Sequence, residues 1–182
     1  MRNFDLAFID FETTGLGFDS EIVEMAVITV SHQSLEVLEE WSAKVKPKDL
    51  SRAYPESLVI NGYNDAEWVD ALEIKPALQM FLQKTSGKVL AGHNLCVDWL
   101  WLHRSLFENG LLTSMKFESG KFYYQGFDTV SLAYSKLRNV PGIEKFSLDE
   151  LAKYFGISRL RAHRALDDAR ATYELFVKLI TY

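Results

Sequence analysis

The segment "FDLAFIDFETTG", residues 4–15, is apolar on both of its alternating faces and yet ends in two carboxylates. On a strand, side chains two apart share a face. Phe4, Leu6 and Phe8 therefore precede Asp10 and Glu12 on one side, while Ala7, Ile9 and Phe11 fill the other. A strand with one wet face would also alternate, but its wet face would not carry three large apolar residues. A strand apolar on both faces is covered on both faces, as a central strand of a sheet is. The two acids then stand at its C-terminal end, just before the turn "TTG", where open α/β sheets bind their ligands. Side by side there, they repel each other unless a cation or a proton sits between them.

The rest of the chain supplies layers for such a sheet. Further strands are expected near 22–31 and 36–46, pairing as neighbours of the first at 4–12. A helical pattern near 66–84 is interrupted by Pro76. A short strand, "KVLAG" at 88–92, leads through "HN" into a helix from about 95 to 109. "GFDTVSLAY" begins another strand-to-helix passage, and in "SLDELAKYFGI" Ser147 and Glu150 have capping-box spacing with Gly156 as a stop signal. A last helix runs from about 164 to 180. Strands first, then alternating helix and strand, imply an α/β protein with a mixed sheet and helices packed on it.

The 182 residues suit one domain, 1–182, with no linker, repeat or low-complexity tract. With no run of about 18 apolar residues and no basic-plus-apolar leader, a cytoplasmic protein without a membrane partner is expected. The single cysteine, Cys96, reads as a small buried hydrophobe and fits a reducing compartment. Twenty-five acidic against 20 basic residues give a net charge of −5, which counts against holding nucleic acid by bulk electrostatics. Acids gathered in a metal site would weigh in the same balance.

Two helices carry carboxylates where apolar residues belong. In "LCVDWLWLHRSLFENG", Leu95, Asp98, Leu102 and Leu106 form one stripe, and Asp98 interrupts it. Asp98 is either a helix-end residue near water or a buried one with a partner, because an unpaired buried anion costs several kcal/mol. In "HRALDDARATYELFVKLI", Asp168 shares a stripe with Ala165, Thr172, Leu175 and Leu179. Asp167 falls with Arg164, Arg170, Glu174 and Lys178 on a face that reads as solvated and ion-paired. Helical phase thus selects Asp168 as the inward acid. His163, five residues earlier, would lie about 140° away on a continuous helix, so it reaches the same place only from the loop before it. Alone, a histidine there is a surface or capping residue. Asp10, Glu12, Asp98 and Asp168 make an all-oxygen set suited to Mg²⁺ or Mn²⁺, and no Cys/His spacing suggests zinc. Two such ions roughly 4 Å apart would serve an in-line phosphoryl displacement, with a rim histidine as general base.

"FIDFETTGL", "GHNLCVDWL", "FDT" and "HRALDDA" resemble, in order and spacing, the motifs of the DEDDh, or DnaQ-like, 3′-to-5′ exonucleases, the group of the proofreading epsilon subunit of bacterial DNA polymerase III. The resemblance spans residue 6 to about 175. It implies an RNase H-like fold, a mixed five-stranded sheet with helices on both faces. It also implies Asp10, Glu12, Asp98 and Asp168 binding two divalent ions, His163 as general base, and Asn94 and Asp128 orienting the site. Thr13, Thr14 and Leu16 match positions that receive the terminal nucleotide through backbone amides and the leucine; their hydroxyls equally suit a tight, capped turn. "INGYN" at 60–64 departs from the family at Asn61, where His is usual, while Tyr63 offers a ring to stack on a base. Arg159, Arg161 and Arg164 around His163 either meet the substrate backbone or face solvent. The aromatics of "MKFESGKFYYQG", namely Phe117, Phe122, Tyr123 and Tyr124, either cover the sheet edge or stack on nucleotides. The implied activity is metal-dependent removal of nucleoside 5′-monophosphates from DNA 3′ ends, single-stranded ends preferred, with a polymerase as possible partner. Action on RNA or short oligonucleotides, or a noncatalytic polymerase-associated role, are the alternatives.

Overall fold

The computed structural model describes residues 4–112 and 125–182. Its sheet has five strands in the order β3-β2-β1-β4-β5: β1 (Leu6–Thr13), β2 (Ile22–Val30), β3 (Val37–Lys44), β4 (Val89–Gly92) and β5 (Phe127–Asp128). β1 is central, antiparallel to β2 and parallel to β4, so the sheet is mixed. Six helices surround it: α1 (Pro55–Asn61), α2 (Ile74–Thr85), α3 (Leu95–Glu108), α4 (Thr129–Leu137), α5 (Leu148–Phe155) and α6 (Ala165–Thr181).

The two apolar faces of β1 are buried in different layers. Ala7, Ile9 and Phe11 pack with Ala77, Leu78 and Phe81 of α2 and Leu102 and Leu106 of α3. Leu6 and Phe8 pack with Ala165, Ala169 and Phe176 of α6, the Phe8 ring lying 5.3 Å from that of Phe176. Helices on both faces are what the doubly apolar strand requires. A third cluster joins α4 and α5 to α6 through Leu137, Leu151, Leu175 and Leu179. Asp10 and Glu12, on the α6 side of β1, are the half-buried positions of an otherwise buried strand.

Local signals set the helix ends. Ser147 accepts from the Glu150 amide at the start of α5, and Gly156 in the left-handed region closes it. The structure departs from expectation at four places. α2 begins only at Ile74, so Pro76 stands in the first turn, where a missing N–H breaks no bond. Residues 65–70 form turns instead of helix, held by the Trp68 indole donating to the Val23 carbonyl at 2.9 Å. α1, opened by Pro55 and closed by Gly62 in the left-handed region, was not signalled by any long periodicity. Cys96 is exposed rather than buried, because it lies on the outer side of the first turn of α3, its Sγ donating to Asn94 Oδ1. Phe117, Phe122, Tyr123 and Tyr124 lie outside the described residues. Among those described, no helix is long and apolar enough to cross a membrane.

Candidate active site

The acids converge at the C-terminal end of β1. Asp98, in the first turn of α3, accepts the Phe11 amide through Oδ1 at 3.1 Å, a bond that ties the start of α3 to β1 between Asp10 and Glu12. Asp98 is buried at 7 % exposure, so its partnered alternative holds. Asp168 is buried on the inner stripe of α6 with Ala165, Thr172, Leu175 and Leu179. Its neighbour Asp167 pairs with Arg170 at 3.0 Å as the helical phase implies, but its side chain is only 10 % exposed, so that face is less wet than expected. His163 sits in the turn just before α6 with φ 62°, a left-handed conformation that brings a ring nitrogen within 4.8 Å of carboxylate oxygens of both Glu12 and Asp168. The histidine thus joins the acids from the loop, as its sequence spacing demands.

Burial raises the pKa of all four acids, and for Asp10 and Glu12 the neighbouring carboxylates add to the rise. Burial, reinforced by the charges of Asp98, Asp168 and Glu12, raises the Asp10 pKa well above its ordinary value. Burial, with Asp168, Glu24 and Asp98 nearby, pushes Glu12 up to about 8. Burial pushes Asp98 up to about 7 although the Phe11 amide opposes it. Asp168 is also raised by burial, against the pull of Arg159. Four buried or half-buried carboxylates that repel one another, all with oxygen donors, are the chemistry of a hard divalent-cation site. Glu12, Asp168 and His163 are close enough to share one ion.

Supporting residues are visible around them. Asp128 accepts the Leu95 amide at 2.8 Å through Oδ2 and caps α4 through Oδ1, so it orients the start of α3 rather than joining the cluster. Asn94, exposed and left-handed at φ 65°, turns the chain from β4 into α3. Thr13 Oγ1 donates to the Gly15 carbonyl at 2.6 Å, Thr14 Oγ1 accepts from the Glu21 amide, and the Thr14 amide itself donates to the Glu21 carbonyl. Both threonines therefore build the turn, and the Thr14 amide is not available to a nucleotide. Leu16, at the tip, is 90 % exposed. The Tyr63 ring packs 4.9 Å from that of Trp68.

The three arginines have different fates. Arg159 grips Asp168 Oδ1, with Nε at 3.0 Å, and also pairs with Asp149. Arg164 grips Glu24. Neither is free for a substrate phosphate here, whereas Arg161 is 72 % exposed and only loosely near Asp167, at 3.8 Å. Glu24 is not among the residues singled out by the sequence patterning. The signal was present: it is the lone acid inside "IVEMAVITV", and it faces Glu12 across the β1–β2 ladder.

Fold and acid cluster together define an RNase H-like nuclease domain. E. coli exonuclease I in complex with a dT13 oligonucleotide superposes with a TM-score of 0.81 at 20 % identity, over 98 % of this chain and 41 % of that one. The exonuclease family model matches residues 7–176, and the chain belongs to that family, the DnaQ-like 3′-to-5′ exonucleases. Among relatives, the PolC-type DNA polymerase III of Thermotoga petrophila is 28 % identical over 98 % of this chain and 12 % of its own length. The DNA polymerase III epsilon subunit of Aquifex aeolicus is 28 % identical over 94 % of this chain and 78 % of its own. The chain thus spans about 12 % of the length of the PolC-type polymerases it matches.

Proposed function

We propose that the chain is a metal-dependent 3′-to-5′ exonuclease that hydrolyses the terminal phosphodiester of DNA, preferring single-stranded ends and releasing nucleoside 5′-monophosphates. The observation that carries this is the grouping of Glu12, Asp168 and His163 within 4.8 Å, beside Asp10 and Asp98, in a cluster whose carboxylates repel. Asp10, Glu12, Asp98 and Asp168 would hold two Mg²⁺ or Mn²⁺ ions. Such ions supply the Lewis-acid charge that favours water attack on a phosphodiester and departure of the 3′ oxygen. His163, exposed at the rim, accepts the proton of the attacking water in its neutral form. Leu16 offers an apolar surface to the terminal nucleotide, and Arg161 a cation to the backbone. The relatives named as polymerase III epsilon subunits support a polymerase as partner, with residues 1–182 acting as one exonuclease domain.

The test is incubation of 5′-labelled single-stranded DNA and RNA oligonucleotides with Mg²⁺, Mn²⁺ or EDTA. Ladders shortening from the 3′ end are expected for DNA in either metal and no cleavage in EDTA. Cuts in circular single strands would overturn the exonuclease reading, and equal rates on RNA would overturn the DNA preference. As a positioned base, His163 contributes about 10²- to 10⁴-fold to kcat, so His163→Ala should lose that factor while Mn²⁺ affinity by calorimetry changes little.

A further inference from the structure

Glu24 lies directly opposite Glu12 in the β1–β2 register and on the same face of the sheet. It is 5 % exposed, and like charges opposed across a ladder destabilise it, so its burial there calls for a cation. Arg164 answers: its Nε donates to Oε2 at 3.0 Å and its Nη2 to Oε1 at 3.3 Å, a two-pronged pairing whose geometry fixes orientation as well as charge. The Ala165 amide also donates to Oε2, at 3.4 Å, setting the carboxylate at the N-terminus of α6. The guanidinium lies 5.7 Å from the Trp68 ring centroid, and Trp68 is itself bonded to the residue before Glu24. The residue before Arg164 is His163, held at φ 62°, a left-handed region unfavourable to a residue with a side chain. Such a conformation persists only where its surroundings impose it. Here the His163 amide is tied to Asp168 Oδ2 at 3.2 Å on one side, and Arg164 is tied to Glu24 on the other.

We infer that Glu24 and Arg164 are positioning residues for His163: their ion pair fixes the left-handed turn that keeps the imidazole within reach of Glu12 and Asp168. This rests on the role given to His163 above. The experiment compares wild type, Arg164→Gln, His163→Ala and the double variant for kcat, KM and Mn²⁺ affinity, with amide hydrogen exchange at position 163 in wild type and Arg164→Gln. Arg164→Gln should lower kcat about 10- to 100-fold, the effect of a small misplacement, with KM and Mn²⁺ affinity near wild type. On the His163→Ala background it should lower kcat no further, because residues acting as a unit are not additive. An equal loss in both backgrounds would make the pair merely structural and overturn the inference. Exchange at the His163 amide should rise about tenfold in Arg164→Gln as the turn loosens, and unchanged exchange would also overturn it. A wild-type kcat in His163→Ala would remove the base assignment alone, the exchange result still deciding the pair. If Arg164→Gln does not fold, Glu24→Gln takes its place with the same expectations.

Discussion

Raising the pH of the metal-free protein should destabilise it, against the usual behaviour of a protein whose carboxylates are paired. Glu12 is pushed up to about 8 from 4.5 and Asp98 to about 7 from 3.8, in both cases chiefly by burial. A carboxyl with a folded pKa above its unfolded value binds its proton more tightly in the folded state. Its stabilisation is full below the unfolded pKa and lost as pH rises through the folded one. The exposed acids lowered by pairing, such as Asp19 and Glu67, act below about pH 5, and the histidines lowered by burial, His93 and His103, act below about pH 6.5. Between about pH 6.5 and 8.5 the site acids therefore decide the slope. Over that window a carboxyl titrating near 7 loses about 1 kcal/mol and one near 8 about 2, together about 3 kcal/mol, shared among the repelling acids as a group. For a domain of this size that is about 6–12 °C in Tm. Thermal melts in EDTA across the window measure it directly. Mn²⁺ at about 100 times its Kd should restore about 2.7 kcal/mol at the alkaline end. A Tm in EDTA that stays level or climbs over the window would refute the burial of these acids that raises their pKa values.

Asp168→Asn should weaken Mn²⁺ binding and turnover by at least about 100-fold, while Asp167→Asn, which forfeits only pairs to Arg170 and Arg161, should leave kcat near wild type; equal damage from both would mean the helical phase is misjudged. Gly15→Ala should lower stability by about 1–3 kcal/mol in urea titrations, because its Cβ would overlap the Tyr54 ring and lie 2.9 Å from Ser20 Oγ; an unchanged midpoint would show that the turn has room. Leu16→Ala should move stability by no more than about 0.5 kcal/mol, since the side chain is 90 % exposed, yet raise KM for single-stranded oligonucleotides several-fold; an unaltered KM would exclude Leu16 from the nucleotide surface.

The acids were legible because each violates a local pattern. Asp10 and Glu12 end a doubly apolar strand, Asp98 interrupts a buried stripe, and Asp168 differs from Asp167 by about 100° of helix. What stayed hidden depends on partners distant in sequence. Glu24 breaks its strand just as Asp10 does, but the arginine that accommodates it is 140 residues away. That Arg159 would close on Asp168 and Asp149, and Arg161 remain open, is likewise invisible in "SRLRAHR", where the three arginines look alike. α1 is seven residues long, too short for periodicity to register, and the pattern before α2 mimicked a helix because Trp68 is buried through its bond to β2.

The carboxylates come from β1, α3 and α6, and the turn bearing His163 meets β2 through contacts spanning 140 residues. Joining segments so far apart requires closing a long loop, an ordering cost offset by the packing of α6 on the sheet through Phe8, Ala169 and Phe176. The four acids and His163 are therefore together only while α6 is docked on the sheet. Any opening that frees α6 removes Asp168 and His163 together, so the site is lost in one step.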